Sequence, residues 1–185
     1  MDIRELLRKL IYARLFKRLK GYGANIILSR GGVVHRPEEL ELGNNVAIAR
    51  NFHISARSMK IGNNVFIGPN FVAECDDHVF DRVGVTIFSV GEIRNIAPII
   101  IEDDVWIGAN VTLLKGVTVS EGCIIGAGSV VTKTMPPYSI CFGVPCRPVK
   151  LRFKAFDLGE HLKKVESKLS IADVIARWNQ SGLEH

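Results

Sequence analysis

Hydrophobic residues recur every six positions between residues 101 and 136. Cut into sixes, this segment reads IEDDVW, IGANVT, LLKGVT, VSEGCI, IGAGSV and VTKTMP, and every hexad opens on a branched aliphatic residue. The fifth place of each hexad is small or apolar. A period of six fits neither the 3.6 residues of a helical turn nor the alternation of a simple strand. It predicts a triangular solenoid, in which three short strands and tight turns form one coil of about eighteen residues.

The period also predicts how the interior of the solenoid is packed. Hexads three apart lie on the same wall of successive coils, which stacks the opening residues as Ile101–Val119, Ile107–Ile125 and Leu113–Val131. The glycines of the segment are expected at the corners, where a positive φ or a close backbone approach favours them. These are Gly108, Gly116, Gly122, Gly126 and Gly128.

The same period extends towards the N-terminus with less regularity. Residues 24–41 are predicted to form an imperfect first coil, and one extra residue near 58–60 shifts the register of the next. The repeated motifs LGNNV and IGNNV mark equivalent corners, because Asn and Gly tolerate left-handed turns. The pattern then fails after His78, so residues 79–100 are predicted to leave the solenoid and return as a candidate binding loop.

Helical periodicity replaces the hexads at both ends of the chain. Residues 1–21 predict a basic amphipathic helix, with seven Lys or Arg against two acidic residues. Residues 151–182 predict two helices that cap the last coil, the second starting with a capping box between Ser170 and Asp173. Residues 183–185 look like the remnant of an expression tag. The solenoid is therefore assigned to residues 22–150.

Composition and charge narrow the class of protein. A chain of 185 residues, 47% of them apolar, suits one domain with appendages. The net charge of +5 is compatible with an anionic cofactor, a nucleic acid or a membrane surface. The basic residues are not interleaved with aromatics on a recognisable nucleic-acid-binding module, which argues against that partner. Four cysteines without CxxC spacing and no signal-peptide pattern favour a cytoplasmic protein with reduced thiols.

Three segments carry a resemblance to a known family: VWIGANVTLLKGVTV, IIGAGSVVTK and FGVPCRPVK. Over roughly residues 40–150 the chain resembles the hexapeptide-repeat acyltransferases, in the sugar O-acetyltransferase branch of the maltose and galactoside acetyltransferases. The resemblance implies an all-β solenoid, a left-handed parallel β-helix with an N-terminal helix and a C-terminal helical cap. It also implies acetyl-CoA as co-substrate, and homotrimers with active sites between neighbouring subunits.

The resemblance assigns the catalytic base to His78, because the spacing within IGPNFVAECDDHVF matches the family's catalytic histidine without a gap. A sugar hydroxyl is a poor nucleophile until its proton is being removed, and an imidazole can take and later release that proton. Asp76, Asp77 and Glu74 are near in sequence and are candidates to orient the ring. We also assign Asp76 and Asp77 to substrate binding.

A second histidine is predicted on the acceptor side. Where family enzymes often carry an asparagine, this chain has Asn51-Phe52-His53-Ile54, and His53 is assigned to substrate binding. His35 lies 18 residues earlier and is expected to stack beside it. The spacings of His35, His53 and His78 do not resemble the three-histidine zinc pattern of the γ-type carbonic anhydrases, so no metal is expected.

The acetyl-CoA site is also assigned through the resemblance. Small residues match the wall that lines the pantetheine arm, where backbone N–H groups can also steady the thioester oxyanion; they are Gly108, Ala109, Gly126 and Ala127. Hydroxyl and cationic residues match positions near the nucleotide and its phosphates; they are Thr132, Lys133, Arg147 and Lys150. Trp106 points outward and is assigned to the cofactor, with a subunit contact as an equal alternative.

The expected activity is direct transfer of an acetyl group from acetyl-CoA to a saccharide hydroxyl, in cell-envelope or exopolysaccharide biosynthesis. The acceptor is a sugar or a nucleotide- or lipid-linked sugar. One alternative is an amino-sugar N-acyltransferase, because a neutral amine needs a base less; another is a non-catalytic trimeric scaffold or sugar-binding module. The basic helix either docks on its own trimer or binds anionic lipid at the inner face of the membrane.

Overall fold

The structure, a computed structural model, describes residues 12–91 and 96–181, and the backbone alone at 93–94. Most of this chain winds into a β-solenoid whose three walls are parallel sheets. Sheet A contains β1 (Gly21–Tyr22), β4 (Leu40–Leu42), β7 (Met59–Ile61), β12 (Ile100–Ile101) and β15 (Thr118–Val119). Sheet C contains β3 (Val33–His35), β6 (His53–Ser55), β9 (Val72–Glu74), β14 (Thr112–Leu114) and β17 (Val130–Val131).

Sheet B is the longest wall and ends in an antiparallel hairpin. Its parallel strands are β2 (Ile26–Leu28), β5 (Val46–Ile48), β8 (Val65–Ile67), β13 (Trp106–Ile107), β16 (Ile124–Ile125) and β18 (Ser139–Gly143). Strand β19 (Cys146–Leu151) turns back on β18. The buried residues Cys141 and Cys146 of this hairpin belong to the same core cluster as the coils, so the hairpin contributes to the end of the interior.

The predicted stacking of the interior is confirmed. The parallel pairs Ile101–Val119, Ile107–Ile125 and Leu113–Val131 are present, and each of these side chains is at most 1% exposed. The fifth-place residues of the hexads are buried as well, including Cys123 and Ser129. The hexad period therefore specifies a continuous column of apolar side chains, with each coil packed on the previous one.

The corners of the solenoid are built from Asn and Gly, as the LGNNV and IGNNV motifs predict. Asn45 and Asn64 both have φ of +57°, and Asn45 Nδ2 donates to Asn64 Oδ1 at 2.8 Å. Gly108 and Gly126 allow a close approach between coils. A Cβ on Gly108 would lie 2.7 Å from the Ala127 nitrogen, and one on Gly126 would lie 2.8 Å from the Phe142 Cβ. The extra residue of the second coil is confirmed too, because Leu40 pairs with Met59, and Ser58 takes a φ of +60°.

The segment predicted to leave the solenoid does so. It contains β10 (Asp77–His78), the short helix α2 (Ile87–Val90) and β11 (Ile93–Arg94). Strands β10 and β11 pair antiparallel, with His78 opposite Ile93, so the outgoing and returning chains form a two-stranded ribbon. Between them, the side chains of Phe80, Val83 and Phe88 are largely exposed.

Helices flank the solenoid at both ends. At the N-terminal end, residues 12–16 form the described part of α1, and Tyr12 packs on Phe52 with ring centroids 6.3 Å apart. The prediction that this helix extends to residue 21 is wrong, because the helix ends at residue 16 and the Lys20 amide donates to the Leu40 carbonyl as the chain enters β1. The predicted residues before 12 lie outside the described part of the chain.

At the C-terminal end, α3 (Ala155–Lys164) follows β19 after three residues, and α4 (Ile171–Gln180) follows α3. The capping box between Ser170 and Asp173 is confirmed. The two helices share a small second core with Tyr138, to which Leu158, Leu162 and Val174 contribute. The tag-like residues lie outside the described part. None of the helices described is long and apolar enough to cross a membrane.

Candidate active site

His78 lies where the chain leaves sheet C. It follows β9 by four residues and begins the excursion as part of β10, with an exposed side chain. Among the side chains that the structure describes, none forms a hydrogen bond with the imidazole. The position of the ring is therefore set by the backbone of residues 75–78 and by the ribbon that β10 forms with β11. An exposed imidazole at the edge of a sheet can reach a bound substrate.

The three carboxylates near His78 each pair with another residue. Asp76 Oδ2 accepts a hydrogen bond from Arg57 Nε at 2.9 Å, Asp77 forms an ion pair with Lys115, and Glu74 Oε1 lies 3.8 Å from His53 Nε2. None of these three contacts therefore orients the His78 ring. Sequence reasoning missed Arg57 and Lys115, although Lys115 occupies the same third place of its hexad as Lys133.

His53 and His35 lie together on the outer face of sheet C, with ring centroids 5.0 Å apart. The contact arises in a different register from the one expected from their separation of 18 residues. Strand β3 pairs with β6 so that His35 is opposite Ser55 and Val33 is opposite His53. The first coil is two residues longer than the regular period, and the two rings approach each other diagonally. With Glu74, they form a polar cluster beside the strand that leads to His78.

The residues assigned to the pantetheine wall lie at the corner between sheets B and C. Gly108 and Gly126 are in register there, and Gly68 continues the column: a Cβ on Gly68 would lie 2.6 Å from the Gly108 carbonyl carbon. Sequence reasoning did not assign Gly68 to this wall. The missing side chains let the coils stack closely at this corner, because a Cβ at Gly68 or Gly108 would collide with the backbone of the next coil. Ala109 and Ala127 follow two of these glycines and keep the corner free of large side chains.

The cationic residues assigned to the cofactor are divided between two places. Thr132 and Lys133 follow β17 on the opposite side of sheet C from the glycine column. Arg147 lies near the tip of the β18–β19 hairpin. Ser129 links this hairpin to the glycine corner: its Oγ accepts a hydrogen bond from Gly143 N at 3.2 Å and donates one to the Gly126 carbonyl at 2.6 Å. All three side chains are exposed.

Trp106 and Lys150 lie on the outer face of sheet B. A ladder of apolar residues runs along this face through Ile27, Ala47, Phe66, Trp106, Ile124 and Ile140, and Lys150 pairs with Ile140 at its end. Phe66 is 65% exposed and Trp106 is 57% exposed. A continuous apolar ladder of this kind is typical of a protein contact surface.

One chain therefore carries the predicted site in two halves. Strands of sheet C run from the corner with sheet B to the corner with sheet A. Gly108, Ala109, Gly126 and Ala127 precede these strands, whereas His78, Thr132 and Lys133 follow them. The glycine column and His78 thus lie at opposite edges of the same sheet, which we name the entry edge and the exit edge of sheet C.

The cysteines are not placed for nucleophilic catalysis. All four are buried, and burial raises the pKa of the Cys75 thiol, so that this nearest cysteine to His78 stays protonated. Within residues 12–91 and 96–181, the structure contains no group of three or more His, Cys, Asp or Glu side chains arranged to hold a metal ion.

Known proteins share both the sequence pattern and the fold. The family model described as the hexapeptide repeat of succinyl-transferase matches residues 98–133. Galactoside O-acetyltransferase of Escherichia coli is 36% identical over 124 residues, which are 63% of this chain and 59% of that protein. The chain spans 44% to 59% of the length of the first curated relatives that it matches.

Two solved structures superpose on most of the chain. The hexapeptide-repeat acetyltransferase of Vibrio cholerae, complexed with acetyl-CoA, is 26% identical with a TM-score of 0.73, over 83% of this chain and 81% of that one. A galactoside acetyltransferase in complex with coenzyme A is 28% identical with a TM-score of 0.70, over 82% and 73% of the two chains. The chain therefore shares the hexapeptide-repeat pattern over residues 98–133 and the β-solenoid fold with these acetyltransferases.

Proposed function

We propose that the protein transfers an acetyl group from acetyl-CoA to a saccharide hydroxyl, with His78 as the general base. The observation that carries this proposal is an exposed imidazole at the exit edge of sheet C, in a fold that matches a structure complexed with acetyl-CoA. The similarity to galactoside O-acetyltransferase supports a sugar acceptor. A place in cell-envelope or exopolysaccharide biosynthesis stays a prediction.

In the proposed reaction both substrates are bound at once. A nitrogen of His78 takes the proton of the sugar hydroxyl while the oxygen attacks the thioester carbonyl carbon. The bond from that carbon to sulfur breaks, the acetyl ester forms, and the imidazolium returns its proton to the departing thiolate. No acyl-enzyme is needed, in keeping with four buried cysteines. The amides of Gly108 and Gly126 donate to the Ile125 and Cys141 carbonyls of the next coil, so the expectation that these two N–H groups stabilise the oxyanion is wrong.

The site is completed by a second copy of the chain. In a groove between two parallel solenoids, the entry edge of one sheet C faces the exit edge of its neighbour. The Gly108–Ala127 wall of one subunit then holds the pantetheine arm, while His78, Thr132 and Lys133 come from the next. Apolar residues on sheet B, Phe66 and Trp106 above all, support such contact between subunits. A heterologous contact of this kind closes into a ring, here the predicted trimer.

The experiment that tests the activity is thiol release from acetyl-CoA, with and without acceptors. Methyl β-galactoside, maltose, a nucleotide sugar and an amino sugar form the panel, and mass spectrometry of the product locates the new acetyl group. We expect release that depends on a neutral sugar and yields an O-acetyl ester. Release only with the amino sugar would favour the N-acyltransferase instead. Binding of acetyl-CoA without release under any condition would favour the non-catalytic scaffold.

A site shared between subunits predicts complementation between two inactive variants. His78→Ala removes the base, and Ala127→Trp fills the exposed pantetheine wall; each alone is expected to be inactive. When the two chains are refolded or expressed together in equal amounts, about a quarter of the sites combine an intact His78 from one subunit with an intact Ala127 from the next. Thiol release should recover to about that fraction of the wild-type rate.

The control for this experiment is a mixture of separately assembled variants that are not allowed to exchange subunits, which should stay inactive. A mixture that exchanges subunits, as verified by native mass spectrometry, and still shows no activity would mean that each site lies within one chain. The shared-site proposal would then be wrong, whatever the acceptor.

A further inference from the structure

We infer that Arg57 and Lys115 are positioning residues for His78, holding the two aspartates that precede it from neighbouring coils. The inference rests on the proposed function, because it assigns a task to the segment that carries the catalytic base. Neither residue is expected to contact a substrate. Their effect on the reaction passes through the backbone of residues 76–78, from which the His78 ring extends.

The first contact joins Asp76 to the coil on its N-terminal side. Arg57 Nε donates to Asp76 Oδ2 at 2.9 Å, and the two side chains are only 13% and 16% exposed. Charge-assisted hydrogen bonds are short and strong, and one largely shielded from water is screened little by salt. Arg57 lies beside Ser58, whose positive φ accommodates the extra residue of that coil. The insertion thus places the guanidinium at the corner where the chain leaves the solenoid.

The second contact joins Asp77 to the coil on its C-terminal side. Lys115 follows β14, which pairs directly with β9 through Leu114 and Glu74. Its ammonium group forms an ion pair with Asp77, with side-chain exposures of 25% for the lysine and 45% for the aspartate. Two consecutive carboxylates are therefore held by cations from opposite directions along the solenoid axis. A segment held in this way cannot slide along the axis without breaking one pair.

The returning chain closes the third side of this corner. Ala97 N donates to the Cys75 carbonyl at 3.1 Å, and Gly116 N donates to the Ala97 carbonyl at 3.4 Å. Residues 75–77 are thus tied to the coil before, to the coil after and to the end of the excursion. His78 comes next, with no hydrogen bond to its ring among the described side chains. Its position relative to a bound thioester depends on these ties, and an error of about 1 Å in such placement can cost about a hundredfold in rate.

The test exchanges the charges of the partly exposed pair. Asp77→Lys and Lys115→Asp are each expected to lower kcat for acetyl transfer by about tenfold or more, with KM for acetyl-CoA changed by less than about twofold. The double variant, Asp77→Lys with Lys115→Asp, restores the ion pair in the opposite sense and should recover most of kcat. If the pair served stability alone, kcat would not fall while KM for acetyl-CoA stayed the same. If either residue contacted the substrate directly, the double variant would not recover kcat.

The pair of Arg57 and Asp76, which is largely shielded from water, is tested by graded changes at one position. Arg57→Lys keeps the charge but loses the planar donor group, and Arg57→Met keeps the approximate length and loses the charge. We expect kcat to fall in the order wild type, Arg57→Lys, Arg57→Met. Arg18→Met, which breaks the ion pair of Arg18 with Glu38, whose side chains are 64% and 55% exposed, is the matched control and should leave kcat unchanged. If Arg57→Met does not fold, the lysine variant and the exchanged pair still decide the question.

The acceptor in all these assays is the sugar from the panel that supports the fastest release by wild type. An active wild type whose exchanged-pair single variants keep their kcat would overturn the inference alone. Single variants that lose kcat without recovery in the double variant would also overturn it, because they would indicate direct contact with substrate. A wild type that releases no thiol with any acceptor would overturn the proposed function together with the inference.

Discussion

Replacing His78 with alanine is expected to lower kcat for acetyl transfer by about a hundredfold or more, because a positioned general base contributes about 10²–10⁴ to such a reaction. The substitution removes the group that, in the proposed reaction, takes the hydroxyl proton and returns it to the leaving thiolate. The side chain is exposed, and no described side chain is hydrogen-bonded to its ring. Stability and the affinity for acetyl-CoA should therefore remain close to those of wild type.

The measurement is steady-state thiol release at saturating acetyl-CoA, together with calorimetric binding of coenzyme A and a urea unfolding curve. His78→Asn is a useful companion, since it keeps a polar side chain that cannot take up a proton. His53→Ala serves as the matched histidine control and should raise KM for the acceptor more than it lowers kcat. Equal turnover by His78→Ala and wild type would rule out His78 as the base and favour His53 or an amine acceptor.

The free energy of unfolding should fall by about 2–5 kcal/mol in Leu113→Ala, the range found when a buried leucine is truncated to alanine. Leu113 is fully buried and lies between Ala73 and Val131 in the stacked interior of sheet C. Its removal leaves a cavity that the neighbouring coils cannot easily fill, because their backbones are held in register by the ladder hydrogen bonds. Urea unfolding followed by circular dichroism measures the loss.

The adjacent residue offers a matched control for this substitution. Leu114 has the same side chain on the same strand, but it points outward and is 38% exposed. Leu114→Ala should cost less than about 1 kcal/mol, because little apolar area returns to water. Similar losses for the two variants would contradict the assigned register of β14, since a shift of one residue exchanges inward and outward positions along a strand.

Several features of the fold were predictable because they depend on local spacing alone. The hexad period predicted the stacked pairs of the interior, and the Asn-Gly motifs predicted corners with positive φ. The break in the pattern after His78 predicted an excursion there. The stacked pairs, the corners and the excursion were predictable because every third strand lies on the same wall of the solenoid, and this arrangement fixes which residues face inward.

Other features depend on coil lengths and on neighbours distant in sequence. His35 and His53 approach each other even though their strands pair in a register shifted by two residues from the regular period. The N-terminal helix ends before Lys20 because the Lys20 amide is used by Leu40 instead. The six-residue period therefore predicted which side chains face the interior, but it did not predict the path of the chain in the irregular N-terminal coils.

By itself, the sequence determined the solenoid, its inward-facing residues and the excursion, because six-residue periodicity is a property of adjacent residues. The candidate base His78 came from the resemblance to a known family. Only the tertiary structure decided that Asp76 and Asp77 pair with Arg57 and Lys115, and that His78 and the glycine column lie at opposite edges of sheet C. The two ion pairs join residues about 20 and 40 positions apart that nevertheless lie in adjacent coils, because the excursion lies between Asp77 and Lys115. They depend on how coils of unequal length stack, and that is a property of the packed molecule.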